Sequence, residues 1–443
     1  MDPITIGYLS IAGIIILILM GFHIGVALAG ISFIGIWMIN GRFLVASHFL
    51  KLTSYNALAD YVFAVIPLFV VMGLFAAAAG ITRDLFLACD LLLRRVRGGL
   101  GVATVAANAV FAAVTGTSIA SAAVFSRLAI PEMDKLGYNR RFSLGIVGSS
   151  ALLGMLIPPS VLMIVYALVT EQSIGRLFAA GVVPGLLVAG VLAGTIWLRA
   201  TINPDLVGGR ERRTPLIDVK PLVVFSRTIP VVGLIFVVLG GMYGGLFTPT
   251  EAGAVGAVGA FLLMVVLTSL KGQFRASSTF HILLEAGRAT AGIFFLIIAA
   301  KMYSRMITLA GLPRHVTEFV MGADIPPYLI ILVFILIIII LGFLIDAVSI
   351  LLLTMPIMLP VVMNLGYDPI HFGIIAIVAV ELGLLTPPFG IVVFAMKASL
   401  GKATTVEEIF KGVTPFFFVL LATLAVIVLV PEISLWLPRL IYG

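Results

Sequence analysis

The sequence predicts an all-α polytopic membrane protein, built as an inverted repeat in which each copy carries a re-entrant helical hairpin and a broken helix. Three observations carry that reading. Of 443 residues 61% are hydrophobic and only 11% charged, and apolar runs of membrane-spanning length recur from end to end. Double prolines interrupt two of these runs, in LLGMLIPPSVLMIVY at 152 to 166 and in ELGLLTPPFGIVVFA at 381 to 395. One offset of 229 residues relates the two interruptions and their surroundings.

Taken in order, spanning helices are expected near 4 to 20, 23 to 39, 60 to 80, 142 to 170, 174 to 198, 228 to 247, 250 to 269, 283 to 309, 371 to 399 and 412 to 432. The opening run has no basic residue ahead of it and no small-residue cleavage pattern after it, so it reads as a retained helix and not a signal peptide. The runs 142 to 170 and 371 to 399 contain the double prolines; a proline inside a helix removes a backbone hydrogen bond and clashes with the preceding turn, so both are read as broken. Two further stretches, 98 to 134 and 326 to 364, are apolar but interrupted near the middle by TGTS at 115 to 118 and DAVS at 346 to 349. Each is read as a hairpin entering and leaving on one side, with a tip covered by protein or lining a wet cavity. The stretch TRDLFLACDLLLRRVRGG, 82 to 99, suits an interfacial helix and a plain connecting helix equally well.

Charge placement orients the chain. The formal net charge is +7, but the basic residues sit in short connections, which is the positive-inside pattern and not a nucleic-acid surface. Arg94, Arg95 and Arg97, then Lys135, Arg140 and Arg141, then Arg199 to Arg227, then Lys271 and Arg275 are assigned to the cytoplasm; Arg42, Lys51, Arg314 and Arg439 lie outside. Both termini are then periplasmic. The polar linker 199 to 227 is cytoplasmic and separates a first repeat, 1 to 198, from a second, 228 to 443. A single cysteine, Cys89, permits no internal disulfide, and five scattered histidines lack metal-ligand spacing. No phosphate-binding G-x-x-x-x-G-K-[ST] is present, so nucleotide-driven transport and cofactor chemistry are not expected.

The offset carries Pro131 to Pro360, Leu136-Gly137-Tyr138 to Leu365-Gly366-Tyr367, Leu153-Gly154 to Leu382-Gly383 and Pro158-Pro159 to Pro387-Pro388. Matches in one register at this density indicate an internal repeat. An odd effective number of crossings between the double prolines gives the copies opposite orientation. Inverted repeats with paired broken helices are the pattern of secondary transporters, which hold substrate and coupling ion near the midplane.

A break at depth frees carbonyls on one half-helix and amides on the other, suited to a hard cation and to an anion respectively. In the first repeat the candidate groups are Thr115, Thr117 and Ser118 at the tip with Gly154, Ile157 and Pro159 at the break; in the second they are Asp346 and Ser349 with Gly383, Thr386 and Pro388. The offset sets Thr117 opposite Asp346, giving two sites of similar shape and unequal charge. Each hydroxyl either ligates an ion or bonds its own preceding turn, and each glycine either serves the site or permits close packing. Asp346 is the strongest candidate: a carboxylate at depth costs about 3 kcal/mol on insertion scales and needs a partner or a task. The alternative for it is a helix cap. Glu381, one turn before the second break, either tunes the site or pairs with a basic residue of the scaffold. Ser121, Arg127 and Ser160 are candidates to meet the substrate, and Lys301 and Arg305 are further cations in an apolar segment that either meet a carboxylate or snorkel.

The strings GLFTPTEAGAVG, FLIDAVSILLLTMPIMLPV, LGYDPIHFGII, LGLLTPPFG, IPEMDKLGY, LGMLIPPS and the ending PEISLWLPRLIYG resemble the large membrane subunit of tripartite ATP-independent periplasmic transporters over nearly the whole chain. The resemblance implies a sodium-coupled importer of organic acids, dicarboxylates and sialic acid among them. It also implies an elevator mechanism in a bacterial inner membrane, with a small four-helix membrane subunit and a periplasmic substrate-binding protein as partners. Carried over by position, the family's sodium sites fall on Thr115, Thr117, Gly154, Ile157 and Pro159, and on Asp346, Gly383, Thr386 and Pro388. The first tip departs from the family's usual Gly-Ser-Ser or Gly-Ser-Ala run but keeps its hydroxyls, in Thr115-Gly116-Thr117-Ser118-Ile119-Ala120-Ser121. The competing readings are a standalone anion:sodium symporter of related architecture and an ion channel.

The topology has a direct test. In a background lacking Cys89, Arg210→Cys should resist an impermeant thiol reagent in spheroplasts and react once the membrane is permeabilised. Labelling before permeabilisation would reverse the orientation.

Overall fold

The computed structural model describes residues 2–209, 221–270, 272, 274–323 and 325–443. Much of the linker expected at 199 to 227, with Arg210, Arg212 and Arg213, lies outside the described residues, as do Lys271 and Asp324.

The first half runs α1 (Pro3–Leu19), α2 (Ile24–Asn40), α3 (Phe43–Ala59), a 3-10 turn at Tyr61–Ala64, α4 (Val65–Ala78) and α5 (Ile81–Leu93). A helix pair follows, α6 (Gly99–Thr115) and α7 (Ser118–Lys135), then α8 (Arg140–Ser150), α9 (Leu153–Leu156), α10 (Val161–Thr170) and α11 (Ile174–Ile202). The second half runs α12 (Pro221–Tyr243), α13 (Pro249–Leu270), α14 (Ala276–Leu309) and α15 (Leu312–Gly322), then the pair α16 (Pro327–Gly342) and α17 (Ala347–Asn364). It closes with α18 (Pro369–Leu384), α19 (Ile391–Leu400), α20 (Val406–Leu429) and α21 (Glu432–Tyr442). Among the described residues seven helices are long and apolar enough to cross a membrane, or eight if Arg140–Leu156 and Val161–Thr170, bent by 42°, form one broken span. One of the seven is α17, from the stretch read in the sequence as a returning hairpin. Length and composition do not distinguish a returning arm from a crossing one.

The repeated motifs are helix punctuation. Leu136-Gly137-Tyr138 ends α7: Gly137 sits at φ 76°, and the Tyr138 amide reaches back to the Met133 carbonyl at 3.0 Å. Leu365-Gly366-Tyr367 ends α17 the same way, with Gly366 at φ 79° and the Tyr367 amide on the Val362 carbonyl at 3.2 Å. A left-handed glycine that closes the last turn is a standard helix stop. The next residue then starts a new helix: the Asn139 side chain accepts from the Arg141 and Phe142 amides, and the Asp368 side chain from those of Ile370 and His371. One cassette of stop, turn and cap therefore sets the junction of paired and broken helices in each half.

Three helices outside the expected spans are present, α3, α15 and α21. The first shows where the halves diverge. At the 229 offset, α3, its 3-10 turn and α4 correspond to the single 34-residue helix α14. Asp60, extended at ψ 120° and accepting from the Val62 amide at 3.0 Å, supplies the interruption that α14 lacks.

Packing is exchanged between the halves. Helix α4 packs on α13 and α2 on α14; α10 packs on α17 and α19 on α7; α8 lies against α20 and α18 against α11. Small residues permit the closest approach, since a Cβ on Gly145 of α8 would lie 2.2 Å from the Gly412 carbonyl oxygen of α20. The core is centred on the broken helices, and every residue of α18 from Ile370 to Leu384 is buried. Tyr166 of α10, itself fully buried, donates its hydroxyl to the Pro369 carbonyl at 2.6 Å and ties one broken helix to the other.

That bond can be set against the half-buried Tyr243, whose hydroxyl oxygen is buried. Tyr166→Phe should cost about 0.5–1.5 kcal/mol and lower the melting midpoint of the purified protein. Tyr243→Phe, which removes a buried hydroxyl without a partner among the described residues, should leave the midpoint unchanged or raise it. Equal shifts in differential scanning fluorimetry would remove the Tyr166 tie from the account.

Candidate functional site

The first tip is two residues long, Gly116 and Thr117, between α6 and α7. Gly116 takes φ 62°, a left-handed turn that ends α6 and that glycine adopts without strain. The tip seats on the first break. The Val161 amide donates to the Gly116 carbonyl at 3.4 Å, and a Cβ on Gly116 would come within 2.9 Å of the Pro159 carbonyl oxygen. On the other side of the break a Cβ on Gly154 would lie 2.6 Å from the Thr117 carbonyl oxygen. Two glycines, one per surface, therefore set the spacing between tip and broken helix.

The named residues of this site have distinct positions. Thr115 closes α6 and donates its hydroxyl to the Phe111 carbonyl at 3.0 Å, the local bond open to any membrane threonine. Thr117, half-buried in the N-cap position of α7, makes no capping bond with its side chain. Ile157 is extended at the end of α9 (ψ 123°), and Pro159 is buried behind it, after a cis Pro158–Pro159 bond. Ser160 bridges the break: its hydroxyl donates to the Met155 carbonyl at 2.6 Å and accepts from the Met163 amide at 3.4 Å. Those bonds explain Ser160 as a structural staple. Ser121 is buried with no partner for its hydroxyl among the described residues, while Arg127 lies further along α7 on the exposed side, away from the tip.

The second site is built differently. Asp346 caps α17, accepting from the Ser349 amide at 3.1 Å and from the Ser349 hydroxyl. Carboxylate and serine therefore face one another, and no other donor meets Asp346 among the described residues. Gly383 packs against the end of α16 beside the tip: a Cβ there would lie 2.8 Å from Gly342 Cα and from the Ile339 carbonyl oxygen, so it permits close packing of α18 on α16. Thr386 returns its hydroxyl to the Leu382 and Gly383 carbonyls at 2.7 and 3.0 Å. Pro387, Pro388 and Phe389 are exposed, whereas their counterparts Pro158, Pro159 and Ser160 are buried. Of the two breaks, the first is covered and the second is open.

The two sites are joined through Glu381, which the sequence allows either to tune the second site or to pair with a basic residue of the scaffold. Glu381 pairs not with a basic scaffold residue but with Ser118, whose hydroxyl donates to its Oε2 at 2.7 Å. Both side chains are buried. Lys301 lies over the Phe63 ring at 4.6 Å and Arg305 is exposed, so neither joins the tips. Gly116 and Gly342 contribute spacing that sequence reasoning did not assign. The signal for Gly116 was its place inside TGTS; for Gly342, near a tip but inside a helix, there was none.

A profile described as "Tripartite ATP-independent periplasmic transporter, DctM component" matches residues 11–433. The chain is 34% identical over 392 residues to the C4-dicarboxylate TRAP transporter large permease protein DctM of Pseudomonas aeruginosa, a match covering 88% of this chain and 89% of that one. It is 29% identical over 385 residues to the sialic acid TRAP transporter large permease protein SiaM of Vibrio cholerae, over 87% and 88%. Its fold resembles that of the Alcanivorax borkumensis YdaH transporter with a TM-score of 0.65, over 87% of this chain and 88% of that one at 16% identity.

The seating of the first tip can be tested against an open glycine of the same conformation. Gly116→Ala and Gly366→Ala carry a similar backbone cost of about 1 kcal/mol for a left-handed residue, yet nothing lies within 4 Å of a Cβ at Gly366. Uptake and melting midpoint should both fall further for Gly116→Ala. Matching losses in the two variants would show that the tip does not depend on contact with the break.

Proposed function

Because the chain belongs to the DctM-component family of tripartite ATP-independent periplasmic transporters, we propose that it is the large permease subunit of a sodium-coupled importer of organic acids. Members of this family are transporter permeases and not enzymes. The dicarboxylate and sialic acid named for the relatives support a carboxylate substrate. A periplasmic binding protein delivers it, and a small membrane subunit accompanies this chain in the bacterial inner membrane, with both termini periplasmic.

The observation that carries the reading is the first tip seated on the first break. There a helix end, a two-residue turn and a proline-interrupted strand of backbone converge, with the Thr117 hydroxyl uncommitted to any cap. Helix ends leave carbonyls outside the helical ladder, and several oxygens in one place replace the hydration shell of a hard cation. At the second tip the Asp346 carboxylate adds a full negative charge. Sodium binding at both positions would complete the surfaces between which the substrate carboxylate sits, next to half-helix N-termini. In the elevator form of this reading, the pairs α6–α7 and α16–α17 are re-entrant hairpins of inverted repeats, and they move with the broken helices as one body against the remaining helices. The exchanged packing of α10 on α17 and α19 on α7 supports a single moving unit, because it joins each helix pair to the broken helix of the other half.

Two measurements test this. Uptake into proteoliposomes, with the cognate binding protein and a panel of carboxylates, should vanish when choline replaces sodium at constant pH. Asp346→Asn keeps the cap, since Asn and Asp are equivalent there, but removes the charge. Losing a charge-assisted contact of about 1.5–3 kcal/mol should raise the half-maximal sodium concentration roughly ten- to a hundredfold. A normal sodium curve for that variant would reduce Asp346 to a cap.

A further inference from the structure

Glu381 is 1% exposed and Ser118 fully buried, and their bond joins α18 to the start of α7. The second carboxyl oxygen, Oε1, has no partner among the described residues. Such a group is costly to bury: a polar atom without a hydrogen bond in an apolar interior loses the solvation it had in water. A carboxyl placed there by packing alone would be replaced at no loss by an apolar side chain of similar volume. Its position argues for more. Ser118 follows Thr117, whose carbonyl presses on Gly154 of the first break; Glu381 lies two residues before Gly383 and one helical turn and a little more before Thr386 at the second break. The internal repeat does not supply this contact twice, because the offset places Ala347 opposite Ser118 and Leu152 opposite Glu381.

We propose that Glu381 is a positioning residue that couples the two cation sites: through Ser118 it fixes the first tip relative to the helix that carries the second break. This rests on the sodium reading of those sites. Ordering one site, by drawing carbonyls onto an ion, sets the angle at which α7 leaves the tip. The Ser118–Glu381 bond passes that angle to α18, so the ion bound first lowers the ordering cost of the other. Coupling of this kind is reciprocal, each site raising the affinity of the other by the same factor. A single buried hydrogen bond of about 0.5–1.5 kcal/mol sets its range at roughly two- to tenfold.

The test is equilibrium binding of radiolabelled sodium to the purified full chain in lipid nanodiscs, with choline holding ionic strength constant. The wild type should bind cooperatively. Glu381→Met, which removes the bond without removing an oxygen of either tip, should retain both sites but bind with a Hill coefficient near one and a half-saturation point raised by up to about tenfold. Ser118→Ala, which removes the same bond together with a candidate group of the first site, should lose cooperativity as well. Glu381→Gln still offers a carbonyl oxygen to Ser118, so cooperativity should return. Cooperative binding unchanged in Ser118→Ala and Glu381→Met overturns the proposal, as does equal loss in Glu381→Gln, which would make the charge and not the bond responsible. Wild type that binds no sodium overturns the sodium reading itself, a result distinct from either.

Discussion

Hydrocarbon offers no hydrogen bonds, so wherever a helix stops inside the apolar body of this protein, neighbouring backbone must receive the groups it leaves. The first break depends on that constraint most visibly. Its prolines remove donors, its half-helices end within a few residues of each other, and the Gly116 carbonyl comes in to accept from the Val161 amide. Gly154 and Gly116 lack side chains at the contact surface because a Cβ on either would meet a carbonyl oxygen at under 3 Å. Tip, break and glycines are consequences of one requirement, and the candidate cation ligands are the oxygens that it gathers.

The second break answers the same requirement in another way. Thr386 turns its hydroxyl onto the carbonyls of its own preceding turn, and the prolines after it lie exposed. Gly390, at φ 38°, then starts α19. The halves thus share punctuation and order but not burial. An exposed Phe389 where the first half has a buried Ser160 makes the difference chemical as well as geometric.

Much of this was legible in the sequence because it is local. Hydropathy placed the long helices; TGTS encloses the interruption at Gly116-Thr117, whereas DAVS starts at the last residue of the interruption from Phe343 to Asp346 and runs three residues into α17. The repeated Leu-Gly-Tyr was visible as a repeat, though its role as a helix stop needed the backbone. Short helices of mixed character, α3, α15 and α21, escaped because their runs fall below spanning length. What remained illegible depends on contacts distant in the chain. Two identical double prolines carry no sign of which will be covered. For Glu381 the sequence left open a role at the second break and an ionic partner in the scaffold, and could not show its serine, 263 residues away.

The exchange of α10 onto α17 and α19 onto α7 has a consequence for biosynthesis. The ribosome delivers the first half complete before the second begins to insert, and at that stage α7 has no α19 beside it and Ser118 no carboxyl to receive its proton. The surfaces that will form the centre of the molecule face lipid, or the insertion machinery, until nearly the last helix has been made. A chain of this design cannot assemble as two domains in succession. Its first half has contacts of its own, α5 on α6, α6 on α11 and α7 on α8 among them, but the native contacts around α7 and α10 close only once α17 and α19 have been made.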